Sequence, residues 1–113
     1  MTTLYGISNC DTVRKARKWL ADNSVDYRFH DFRKDGLDAA LIGKWIADLG
    51  WESLINRSGR TWRSLPDDVR NVNERSAIQL MLRNPTVIRR PVLQIGNRHY
   101  LGYKDNEYRK IFG

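Results

Sequence analysis

The stretch Thr3-Leu4-Tyr5-Gly6-Ile7-Ser8-Asn9-Cys10-Asp11-Thr12-Val13-Arg14-Lys15-Ala16 changes character twice. Residues 3–7 are apolar and β-prone, as in a short strand. Residues 8–12 are the turn-forming and capping types that precede a helix. From Thr12 to Asn23 the apolar residues Val13, Ala16 and Leu20 recur at three- and four-residue intervals, which is the stripe of an amphipathic helix. Strand, polar turn and helix follow in order, and the lone cysteine falls in the turn, two to three residues ahead of the first predicted helical turn.

Tyr27 to Phe32 alternates so that Tyr27, Phe29 and Asp31 share one face, which predicts a second strand. Leu41, Ile42, Trp45, Ile46 and Leu49 then give a helical period closed by Gly50. A helical crossover of this kind makes the first two strands parallel. Asn56, Ser58, Gly59 and Pro66 interrupt residues 52–70, where only short helical pieces are expected. Asn73 caps a further helix carrying Ala77, Ile78, Met81 and Leu82, which ends before Asn84-Pro85. Val92-Leu93-Gln94-Ile95 and Arg98-His99-Tyr100-Leu101 flank Gly96-Asn97, the signature of a tight antiparallel hairpin, and a last helix spans Lys104 to Phe112. The whole reads as an α/β chain with a mixed four-stranded sheet, one domain over residues 1–113 and extra helices at about 37–83.

The composition narrows the function. A length of 113 residues with 41% apolar side chains supports a packed core. No apolar run is long enough to span a membrane and the first residues lack a secretory pattern, so a cytoplasmic, monomeric protein without membrane association is expected. One cysteine cannot form an internal disulfide, so any disulfide must involve another molecule. The net charge of +7 favours anionic partners, but the basic residues are spread along the chain without a nucleic-acid-binding motif, and nucleic-acid binding is not expected. His30 and His99 stand far apart without paired ligands, so no metal site is expected.

Cys10 is the candidate nucleophile. Unpaired backbone N–H groups and the positive end of the helix dipole favour an anion there, and a thiolate is such an anion. Neighbouring cations lower a thiol pKa further. Arg14 carries two readings: a cation that steadies the thiolate or an anionic substrate, or one member of a solvated basic face with Lys15, Arg17 and Lys18. Asp11 beside the thiol would oppose its ionisation unless it turns away, and it is expected to cap the helix.

The residues Tyr5 to Ala16, with Trp19-Leu20, Tyr27-Arg28-Phe29-His30-Asp31 and the downstream Arg90-Pro91, resemble the arsenate reductase/Spx-related (ArsC-like) family, in particular its YffB branch. The resemblance implies a thioredoxin-like sheet with a helical insertion between the second and third strands. It aligns Cys10 with the family nucleophile and Pro91 with the position where thioredoxin-like folds hold a cis-proline. It also aligns Arg90 with an arginine that stabilises a reacting oxyanion, although a one-residue slip would put Arg89 there instead. Asn9, Asp11, Thr12, Arg14 and Pro91 become the candidate substrate-binding residues around Cys10 and Arg90.

The departures matter too. Tyr103 stands where an arginine is expected after Leu101-Gly102, and the middle arginine of a three-arginine site falls near Asn56 or Arg57 without a clean match. Val13 stands where many Spx regulators carry a second cysteine. The expected function is a glutathione-dependent thiol-disulfide reductase with no bound cofactor. Its partners would be glutathione as co-substrate, an oxidised thiol or disulfide as substrate, and glutaredoxin. The alternatives are an Spx-like module that binds RNA polymerase, and an arsenate reductase.

Overall fold

A computed structural model describes residues 1–113. Strand β1 (Thr2–Gly6) leads into helix α1 (Asp11–Asp22) and strand β2 (Arg28–Asp31). After the helices comes the hairpin of β3 (Val92–Ile95) and β4 (Arg98–Leu101), and helix α7 (Asp105–Phe112) ends the chain. The strands form one sheet in the order β2-β1-β3-β4. β1 runs parallel to β2 with Gly6 opposite Asp31, and antiparallel to β3 with Leu4 opposite Leu93. The mixed sheet expected from the sequence is therefore present, and its hairpin closes at Gly96, whose φ of 58° suits a residue without a Cβ.

Both α1 and α7 pack on one face of this sheet, because the apolar stripes of the helices and alternate strand residues converge. Leu4 and Leu93 from the strands meet Val13, Ala16 and Leu20 from α1 and Tyr108 from α7, all of them buried. Gly6 sets how closely α1 approaches β1. A Cβ at this position would lie 2.7 Å from one methyl of Val13, closer than carbon atoms pack, so a larger residue would push the first turn of α1 away.

The chain divides into two compact units, one of residues Met1–Gly36 and Arg90–Gly113, the other of Leu37–Arg89. The second is helical: α2 (Ala39–Leu49), α3 (Trp51–Leu54), α4 (Arg60–Ser64), α5 (Asp67–Arg70) and α6 (Glu74–Arg83), followed by a 3₁₀ turn at Pro85–Val87. Asp38 caps α2 by accepting from the N–H of Leu41, and Asn73 and Ser76 cap α6 reciprocally. Trp45, Ile42, Leu54, Ile55, Met81 and Ile88 are buried. The helical segment runs past the expected boundary near residue 83 because Asn56 N–H donates to the Val87 carbonyl and Arg89 N–H to that of Leu54. No helix is long and apolar enough to cross a membrane.

Candidate functional site

Helix α1 begins one residue earlier than its apolar stripe predicts, so Cys10 is itself the N-cap. The backbone at Cys10 is extended (φ −96°, ψ 127°), and its carbonyl accepts the first helical bond from Arg14 N–H at 2.9 Å. Cys10 N–H closes the preceding turn onto the Ile7 carbonyl at 3.2 Å. The side chain then occupies the place where a capping serine or aspartate oxygen would receive N–H groups. Cys10 is half-buried and packs against the apolar cluster beneath α1.

Its ionisation follows from these surroundings. Burial pushes the Cys10 thiol up, but the Val13 N–H, a hydrogen bond and the charge of the Arg90 guanidinium, and the Thr12 N–H together outweigh it. The pKa ends below its ordinary value. Arg90 is the inward arginine of the pair. Arg89 is exposed and points its Nε at the Ser53 carbonyl, 3.3 Å away. The Arg90–Pro91 peptide is cis, as the resemblance implies, and the buried Pro91 accepts from Gly102 N–H at 2.9 Å.

The other expected residues divide. Thr12 contributes through its backbone, as just described. Asn9 lies exposed in the Ser8-Asn9 turn. Asp11 does not cap the helix: it is the first helical residue, and its carboxylate takes an ion pair from Arg14 at 2.6 Å, both side chains largely exposed. Helix start and cap are shifted by one because the thiol, not the carboxylate, takes the N-cap. The pairing turns the Asp11 charge aside and occupies Arg14, which is not among the groups that lower the Cys10 pKa. Tyr103 is half-buried and packs edge-on against the Tyr108 ring at 4.8 Å between centroids. His30 and His99 lie on the two edge strands, and no group of three or more His, Cys, Asp or Glu is placed to hold a metal.

One neighbour was not singled out from sequence. Asp31, 4% exposed at the end of β2, accepts backbone N–H bonds from Ser8 at 3.3 Å, Arg33 at 2.8 Å and Lys34 at 3.2 Å. Burial raises the pKa of this carboxyl, but these donors and the Ser8 hydroxyl hold it below the usual aspartate value. The available signal was a carboxylate on the aromatic face of a predicted strand.

The four-stranded mixed sheet with its flanking helices defines a thioredoxin-like fold, and its one cysteine caps α1 opposite Arg90. Within that class the chain belongs to the ArsC family, whose profile matches residues 5–111. It is similar to a YffB protein of known structure (40% identity, TM-score 0.94, all of both chains covered). It also resembles an arsenate reductase (ArsC) related protein from Brucella melitensis, at 47% identity and TM-score 0.81 over 98% of this chain and 93% of that one. A global transcriptional regulator Spx of Streptococcus pyogenes is 29% identical over 111 residues, 96% of this chain and 83% of the regulator.

Proposed function

We propose that the protein is a thiol-disulfide reductase that uses Cys10 as nucleophile and glutathione as external reductant. The Cys10 thiolate attacks one sulfur of a substrate disulfide. A Cys10–S bond forms, the substrate S–S bond breaks, and the other sulfur leaves as a thiolate that takes a proton from solvent. A glutathione thiolate then attacks the substrate sulfur of the mixed disulfide, so that a glutathione–substrate disulfide forms and Cys10 leaves as thiolate, and a second glutathione frees the remaining substrate thiol with formation of glutathione disulfide. Two electrons pass from thiol to disulfide overall. With no second cysteine, the resolving thiol must come from outside. The observation that carries this reading is the half-buried Cys10, whose thiol is met by two helix N–H groups and the Arg90 guanidinium. Arg90 would also suit a carboxylate of glutathione.

Intact-protein mass spectrometry after exposure to glutathione disulfide tests it. A single glutathione adduct on Cys10, formed faster than on a free cysteine peptide and released by glutathione, is the expected result. No adduct, or a rate no faster than the peptide, would contradict the proposal.

The Spx relative supports a second reading, a regulatory module whose basic surface meets an acidic partner such as a polymerase subunit. Capture of polymerase subunits that survives Cys10→Ser would favour it. Arsenate reduction ranks behind both, because Tyr103 packs against Tyr108 where that chemistry would call for a further arginine.

A further inference from the structure

We propose that Asp31 is a positioning residue for Cys10, holding the Ser8-Asn9 turn so that the sulfur meets the first N–H groups of α1. This rests on the reading of Cys10 as the nucleophile. The turn that delivers Cys10 has little else to hold it: Ser8 and Asn9 are both exposed, and Cys10 N–H makes the turn's own bond to Ile7. Asp31 supplies an anchor from the neighbouring strand. Its position is set by the parallel pairing that puts it opposite Gly6 and by the Phe32 N–H bond to the Gly6 carbonyl at 2.8 Å. One carboxylate oxygen receives Arg33 and Lys34 N–H, and the other receives Ser8 N–H. Asp31 N–H in turn donates to the Asp35 carboxylate at 2.9 Å, which steadies the end of β2. The carboxylate thus ties the segment leaving β2 to the segment leaving β1, two residues before the thiol.

Charge and position predict opposite effects, which separates them. A nearby carboxylate on its own disfavours a thiolate, so deleting the charge should ease Cys10 ionisation. Losing the anchor should hinder it. The experiment is the pH profile of Cys10 alkylation by iodoacetamide in the wild-type protein, Asp31→Asn and Asp31→Ala, with folding checked by circular dichroism. Asp31→Asn removes the charge and keeps one acceptor oxygen, which can receive either Ser8 N–H or the Arg33 and Lys34 N–H groups, and its midpoint is expected below that of Asp31→Ala. Asp31→Ala removes both, and is expected to have a higher midpoint than Asp31→Asn and a neutral-pH rate lower by about threefold or more, the scale of one lost hydrogen bond.

Equal profiles for the two variants would overturn the positioning role while leaving the nucleophile intact. A wild-type midpoint equal to that of a free cysteine peptide would overturn both. Because Asp31→Ala leaves three backbone N–H groups without their acceptor and risks unfolding, amide hydrogen exchange on the unaltered protein gives a second measurement. Ser8 N–H is expected to exchange more slowly than Asn9 N–H, and equal exchange would overturn the proposal.

Discussion

The sheet unit and the helical unit spend their residues differently. In residues 1–36 and 90–113 the burial of Leu4, Val13, Leu93 and Tyr108 does double duty, since the same packing that seats α1 on β1 also aims its first N–H groups at Cys10. In residues 37–89 the buried Trp45, Leu54 and Met81 hold short helices together, and none of their side chains is among the groups that act on the thiol. A substitution in the first unit should therefore disturb chemistry in proportion to geometry, whereas one in the second should cost stability first.

The largest expected effect tests the helical side. Trp45→Ala removes a fully buried indole and should destabilise the protein by about 3–5 kcal/mol, read by urea denaturation. In whatever fraction remains folded, the Cys10 thiolate midpoint should stay at its wild-type value. A displaced midpoint would break the contrast.

Gly6→Ala tests the sheet side. The new methyl would meet Val13 and should cost about 1–3 kcal/mol. Because Val13 N–H is a leading support of the thiolate, the Cys10 midpoint should rise as well. Stability loss without that rise would separate packing from chemistry where the structure joins them.

A smaller effect is expected at Tyr108, whose hydroxyl is buried with no hydrogen-bond partner and whose pKa is pushed far up, chiefly by burial. Tyr108→Phe removes the unmet group and keeps the ring, so stability should hold or rise by about 1 kcal/mol, with no change at Cys10. A clear loss would show that the hydroxyl is satisfied in solution.

The finest test reads Cys10 through stability itself. A thiol whose pKa is lowered on folding contributes stability that is present above the unfolded-state value of about 8.5 and is lost as pH falls through the folded-state midpoint. The stability of wild type relative to Cys10→Ser should therefore grow as pH rises across that window. A flat difference would mean that folding does not favour the thiolate.

The same contrast governs how far the sequence could be read. The hairpin is legible to the residue, since Gly96-Asn97 permits only a tight turn between two β-prone runs. α2 and α6 are legible from caps and apolar period. The second strand is shorter at both ends than its alternation implies, Arg28–Asp31 instead of Tyr27 to Phe32. Helices α3, α4 and α5 have four or five residues each, too few to display a full hydrophobic period, and their existence rests on packing.

At the site, Cys10 stands out from its polar surroundings, while the choice between Arg89 and Arg90 was open because a one-residue slip reverses which side chain faces in. Asp31 looked like one more strand residue, because its partners are backbone N–H groups brought to it by pairing with β1. Asp11 reads as the cap because aspartate is among the preferred N-cap residues and cysteine is not.

The most direct test is an ultraviolet thiolate titration of Cys10 in the wild-type protein and in Arg90→Ala. The two helix N–H groups and the guanidinium predict a wild-type midpoint below the value of about 8.5 for free cysteine, and a higher one once the guanidinium is gone. A wild-type midpoint at or above free cysteine, or one that Arg90→Ala leaves unmoved, would contradict the account.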